Sequence, residues 1–301
     1  MDTLRAHVCA PPPGRLCEGP VWDPRTRELL WVDIRAGHIH RAEMSSATTD
    51  LTNPRTLTLS PPVSAVLPCV SGRLLATVGD TIVRLDGNGD RTPLARLPFP
   101  TDHIPRRLND AKVDPRGRLL AGTMAEDGTR HSAALHRLDP DGTLTTLRTG
   151  VSISNGLGWS PDGATLYYAD SPTHRIDAFE YDLTTGTSDE GRPFAHFDDG
   201  EPDGLTVDSD GCVWTAVWGA GRVRAFDPAG RPRAEIEVGP SQVSSCTFAG
   251  PDLDILVITT AAEADAAREP NAGRLFACTP GITGLPMTPF ADLRLVHTDD
   301  R

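Results

Sequence analysis

No run of about 18 or more apolar residues occurs in this 301-residue chain, which excludes a membrane-spanning helix. Positive charge is scarce. The 29 Lys and Arg stand against 41 Asp and Glu, for a formal net charge of −12. A surface of that sign repels phosphate backbones, so nucleic acid is not an expected partner. Its plainest use is solubility, although excess carboxylate also suits a cation site. The six cysteines, Cys9, Cys17, Cys69, Cys212, Cys246 and Cys278, form no CxxC pair. They are expected as small buried hydrophobes, not as metal knuckles or a disulfide framework. The segment from Met1 to Pro13 has Asp2 and no apolar core, so it does not read as a signal peptide. N-x-[ST] sequons are also missing, and a cytoplasmic location is expected. GxSxG, HExxH and Walker-type loops are absent, which removes the common hydrolase and nucleotide-binding signatures.

What the chain has is turn-formers and a repeat. Its 28 Gly and 27 Pro are spread along the whole length, which favours short strands over long helices. A phrase of strand, short loop and second strand recurs with a period of about 45 residues, in the range of a four-stranded propeller blade. It reads TRELLWVDIRAGHIHRAE from Thr26 and SGRLLATVGDTIVRLDGNG from Ser71. It returns from Arg116, Gly163, Gly211 and Leu253. Six copies fill the chain, so the fold is expected to be all-β, a six-bladed β-propeller in one domain over residues 1–301. A solenoid or sandwich of the same strand number is the rival. Thr3–Cys9 is expected to supply the outer strand of the last blade.

Aligned on their second strands, the copies share a polar position about ten residues upstream, where the innermost strand begins. It is occupied by Glu18, Ser64, Asn109, Asn155, Asp203 and Ser245. Innermost strands of a propeller converge on its central channel, so these side chains can form a ring of oxygen donors. The alternative is six independent turn residues. Two carboxylates among amides and hydroxyls suit a hard divalent cation, with Ca²⁺ first and Mg²⁺, Mn²⁺, Zn²⁺ or Fe²⁺ also compatible. Glu18 and Asp203 buried together without a cation would favour protonation of one of them.

The phrases CEGPVWDPRTRELLWVDI, RLNDAKVDPRGRLLAGTMAE, SNGLGWSPDG and PDGLTVDSDGCVW, in this order, resemble the family of gluconolactonase, regucalcin (senescence marker protein) and luciferin-regenerating enzyme. The resemblance covers essentially the whole chain. It implies a six-bladed propeller with one divalent metal on Glu18, Asn155 and Asp203. It also implies substrate contacts from Arg107 and Asn109, and from the acidic pair Glu126-Asp127. There Asp127 matches a position that is often Glu in relatives. Gly158 stands where some relatives carry Asp.

The activity implied is hydrolysis of a small sugar lactone to its aldonic acid. A metal in an open oxygen site polarises a carbonyl and acidifies water. Asp203 is the candidate catalytic base; water acidified by the metal is the alternative. Arg107 offers a forked cation for ring or carbonyl oxygens, or else a surface ion pair, and Asn109 offers an amide for hydroxyls, or else a turn cap. Asp110 is expected on the opposite side of its strand, in a structural role. The long segment from Ala261 is expected as a lid or short helix. Two further readings are a lactonase or esterase of non-sugar substrates and a non-catalytic calcium-binding propeller. A monomer is expected.

Overall fold

The computed structural model describes residues 2–10, 13–44 and 49–292. It contains six sheets, antiparallel but for one edge strand, each built outward from a first strand that has a neighbour on one side only. Those first strands are Cys17–Asp23, Val63–Pro68, Arg106–Val113, Ser154–Trp159, Glu201–Val207 and Val243–Ala249. Each touches the next in chain order, and the sixth touches the first. The sheets therefore close into a ring of six blades with the first strands around its axis: a six-bladed β-propeller. Among the described residues no helix is long and apolar enough to cross a membrane. The helical elements described are two 3₁₀ segments, Ser171–Thr173 and Ala264–Arg268.

Burial explains why the strands do not alternate cleanly. Val63–Pro68 and Ser154–Trp159 are buried at every residue, because each lies between two neighbouring blades. The outer strand Leu51–Thr58 is largely exposed. The apolar core divides into six seams, one between each pair of adjacent blades. In the seam between blades 3 and 4, Leu120 and Leu135 meet Leu157 and Tyr168. Between blades 5 and 6, Trp214 meets Phe248 edge to face at 6.1 Å. Each leucine-sized side chain so buried contributes about 1.5–3 kcal/mol. All six cysteines are buried and unpaired within these layers, as expected, and burial pushes the Cys17 thiol up to about 12.

The N-terminal strap closes the ring as anticipated and does more. His7–Ala10 pairs with Leu275–Cys278 as the outer strand of blade 6. Before it, Asp2–Arg5 runs parallel to Pro232–Glu237 and becomes a fifth strand of blade 5. The strap therefore joins two blades through backbone hydrogen bonds. At the other end of the chain, Phe290 bridges to Cys69 in blade 2 and is fully buried.

Candidate active site

One irregularity recurs in all six first strands. The ladder to the second strand breaks at the same level, after Glu18, Val63, Leu108, Ser154, Pro202 and Val243. Such a bulge leaves residues unpaired and re-aims their side chains. Ser64, Asn109, Asn155 and Asp203 lie in these breaks, and Glu18 borders one. In blade 6 the register puts Ser244, not Ser245, in phase with Ser64. Ser64 Oγ meets Thr77 Oγ1 at 2.8 Å, and Ser244 Oγ meets Thr259 Oγ1 at 2.8 Å. Ser244 Oγ also donates to Cys17 O at 2.6 Å. These two hydroxyls serve their own blades and the adjoining one.

Of the other four ring members, Asn109, Asn155 and Asp203 are buried and Glu18 is half-buried, and the two amides form a chain with Arg107. Arg107 Nη1 donates to Asn109 Oδ1 at 2.6 Å and to Leu108 O at 2.9 Å. Asn109 Nδ2 donates to Asn155 Oδ1 at 2.6 Å and to Ser154 O at 3.0 Å. Asn155 Nδ2 donates to Ser171 Oγ at 2.8 Å, and Ser171 Oγ donates to the Pro202 carbonyl at 2.6 Å. Pro202 precedes Asp203, so the relay links blade 3 to blade 5. The Asn155 amide is therefore a link between blades, not an independent turn residue.

The carboxylates carry the electrostatic tension. Burial raises Glu18 well above the usual carboxylate range, and Asp203 and Asp110 raise it further. Burial and then Asp110 do the same to Asp203. Among the described residues, Asp203 Oδ1 is buried with no hydrogen-bond partner, and so is Arg107 Nε. Burial and the repulsion of Arg35 bring Arg107 down to about 10.

Glu126 and Asp127 separate. Glu126 Oε1 lies 3.9 Å from Arg107 Nε. Asp127 is exposed, and its Oδ1 accepts from Thr129 N at 3.0 Å.

Asp110 departs from expectation. Two residues, Asn109 and Asp110, face one on the partner strand, so the simple alternation that would turn Asp110 away fails. It acts electrostatically on both Glu18 and Asp203. The sequence held a signal: the residue after the ring position is Gly19, Gly156 and Gly204 in blades 1, 4 and 5, but Asp110 in blade 3. Arg35 and Glu263 were also missed. They come from loops between second and third strands, pair at 2.8 Å, and act on Arg107. The segment from Ala261 contains the short 3₁₀ helix Ala264–Arg268. Gln242 anchors it, accepting from Glu263 N at 2.9 Å and donating to Glu263 O at 3.2 Å.

The family described as SMP-30/Gluconolactonase/LRE-like region matches residues 16–262. The chain belongs to that family. It is 36% identical to pentonolactonase XacC of Haloferax volcanii over 90% of this chain and 93% of that one. It is 35% identical to regucalcin of Gallus gallus over 92% and 95%. Among solved structures, a calcium-binding protein, regucalcin from Agrobacterium tumefaciens, superposes with a TM-score of 0.87 at 27% identity. That match covers 96% of this chain and 98% of that one.

Within the family fold, the donor set of Glu18, Asn155 and Asp203 fits a hard cation on the evidence of its own atoms. It offers carboxylate and amide oxygens, two carboxyls that burial raises, and one carboxylate oxygen with no hydrogen-bond partner among the described residues, the donor chemistry that a hard cation takes.

Proposed function

We propose that this protein hydrolyses a sugar (aldono-) lactone to the aldonic acid, using one divalent cation held by Glu18, Asn155 and Asp203. The observation that carries the reading is the unpartnered, buried Asp203 Oδ1 beside a second strained carboxylate, at the end of a relay that begins at Arg107. The likeness to a chain named pentonolactonase supports the substrate class. All-oxygen donors favour Ca²⁺, with Zn²⁺, Mn²⁺, Mg²⁺ and Fe²⁺ as alternatives.

When bound, the cation supplies Lewis-acid polarisation of the lactone carbonyl. The chain's own residues supply the rest. Arg107, with Nε unspent, and Asn109 orient the ring and its hydroxyls. Glu126, beside Arg107, is the acid placed to meet a substrate hydroxyl; Asp127 serves from farther out. Asp203 accepts a proton from the attacking water as its oxygen bonds to the acyl carbon. The acyl carbon–ring oxygen bond then breaks, Asp203 returns its proton to the ring oxygen, which leaves as a hydroxyl, and the second proton of the water passes to solvent as the carboxylate forms. Residues 1–301 act as one domain and as a monomer in the cytoplasm on this reading.

A second reading, a calcium-binding propeller without catalysis, is favoured by the likeness to chains named regucalcin. An acid-release assay separates the two. Metal-stripped protein and protein resupplied with Ca²⁺, Mg²⁺, Mn²⁺ or Zn²⁺ are compared on five- and six-membered aldonolactones, with Asp203→Ala as control. Metal-dependent turnover lost in the variant is the expected result. Cation binding with no turnover on any lactone would transfer the assignment to the second reading.

A further inference from the structure

Below the relay, one half-buried cation, Lys112, belongs to none of the roles above. Lys112 lies three residues beyond Asn109 on the first strand of blade 3. Its equivalents by register in blades 4 and 5 are Gly158 and Thr206. Its Nζ donates to the Leu205 carbonyl at 2.6 Å. Leu205 belongs to the first strand of blade 5 and lies two residues beyond Asp203. Blade 4 stands between the two strands, so a single side chain spans from blade 3 to blade 5. Lys112 also attracts Asp110, whose charge acts on Asp203.

We infer that Lys112 is a positioning residue for the candidate cation and lactone site, tying the strand that carries Asp203 to the strand that carries Asn109. The relay from Arg107 to the Pro202 carbonyl holds that strand one residue before Asp203, and Lys112 holds it two residues after. Asp203 is thus fixed from both sides, while its own Oδ1 receives nothing from the protein. A methylene stem with a charged tip is suited to this task. It ends in a charge-assisted hydrogen bond, about twice as strong as a neutral one. It also places a positive charge that acts on Asp110.

The inference rests on the proposed function for its link to the cation, but the tether can be tested separately. The full-length protein is compared with Lys112→Met and Lys112→Arg by hydrogen–deuterium exchange of the peptide containing residues 201–207, without added metal. The expected result is on the order of ten-fold faster exchange there in Lys112→Met, with strands of blades 1 and 2 unchanged and Lys112→Arg near wild type. Titration with Ca²⁺ by calorimetry then reads the consequence: affinity falls about ten-fold or more in Lys112→Met and is largely restored in Lys112→Arg. On a lactone that wild type hydrolyses, kcat falls more than KM rises. Should Lys112→Met fail to fold, Lys112→Gln replaces it in the same comparison. Unchanged exchange at 201–207 would overturn the tether. Faster exchange with wild-type Ca²⁺ affinity, or Lys112→Arg behaving as Lys112→Met, would overturn the positioning role. A wild-type protein that binds no cation would defeat the proposed function and leave the exchange result to judge the tether alone.

Discussion

Gly156 offers the sharpest test of how the fold sets the site. It occupies the bulge of blade 4, directly after Asn155, without a positive φ. Alanine is therefore conformationally acceptable there, and only space is at issue. A Cβ at this position would lie 2.5 Å from the Asp203 carbonyl oxygen, 2.9 Å from Leu205 Cδ2 and 3.0 Å from Leu205 Cγ. The leucine can shift; the carbonyl belongs to a buried strand bonded on one side to blade 5's second strand. Relief to an ordinary carbon–oxygen contact requires the two first strands to separate by several tenths of an ångström, at the level of Asn155 and Asp203. Overpacking of a close-packed core costs about 1–3 kcal/mol, and a backbone obstacle places Gly156→Ala near the upper end. For a chain this large, each kcal/mol moves Tm by about 2–4 °C, so a fall of roughly 6–12 °C is expected.

The same substitution separates two of the candidate cation ligands, so Ca²⁺ affinity and turnover should fall with it. Gly87→Ala is the control. Its φ is ordinary and a Cβ there meets nothing within 4 Å, so Tm should stay within about 2 °C of wild type. Thermal melting, calorimetric titration with Ca²⁺ and the acid-release assay are run on all three proteins. A Gly156→Ala protein that melts with wild type and binds Ca²⁺ equally well would refute the claim that strand contact between blades 4 and 5 sets the ligand spacing.

Four further outcomes are expected. Asp203→Asn should abolish Ca²⁺ binding and turnover, yet melt no lower than wild type in chelator at pH 8. The metal-free wild type holds a carboxylate raised by burial, so its stability falls as pH climbs above the ordinary carboxylate value, and the amide escapes that loss. Arg107→Met should raise KM about ten-fold or more on any lactone hydrolysed, measured by initial rates, because Nε and the Asn109 contact are both removed. Glu126→Gln should impair turnover more than Asp127→Asn, since only Glu126 stands beside Arg107; equal losses would return the substrate contact to Asp127. Burial lowers His136 below its ordinary value of 6.5, so its neutral form is favoured in the fold. That contribution is complete above 6.5 and is lost as pH falls through the lowered value. Melting between pH 8 and 5.5 should therefore drop more in wild type than in His136→Gln.

The ring of blades was legible because its cause is repetitive. Each copy had to build a strand buried on both faces, and the turn chemistry and apolar runs recurred at the blade period. The ring positions were legible for the same reason, since Glu18, Asn109, Asn155 and Asp203 broke an apolar strand at a shared phase. Phase failed by one residue in blade 6. Ser244 and Ser245 are both polar and both buried, and only the pairing of Ser244 with Thr259 distinguishes them. Asp110 failed for a different reason. Alternation assumes an unbroken ladder, and the bulge that makes the site also breaks the rule used to read it. Arg35, Glu263 and Lys112 had no sequence signal of their own, because their relation to the site depends on which blades become neighbours.

These failures share a location, and that location says how the architecture makes a site. In the regular parts of the inner strands the ladders are continuous and most side chains fill a seam, which leaves little free for chemistry. At the bulges the ladder opens, and six openings at one level face a common axis. Burial there is severe, so each polar group needs a partner. Amides and serines find one across a blade boundary, as Asn109, Asn155 and Ser244 do. Two ionised carboxylates cannot satisfy one another, and Asp203 Oδ1 has no hydrogen-bond partner among the described residues. A neutral ring at Glu18 and Asp203 would make a more stable propeller without a cation. That the chain instead keeps two acids there, adds Asp110, and spans the gap with Lys112 is the arrangement expected if the missing charge comes from outside. The comparison that decides it is Asp203→Asn against wild type, with and without Ca²⁺. A cation site requires the order of melting temperatures to reverse when Ca²⁺ is added, whereas a merely strained core would leave the variant ahead in both.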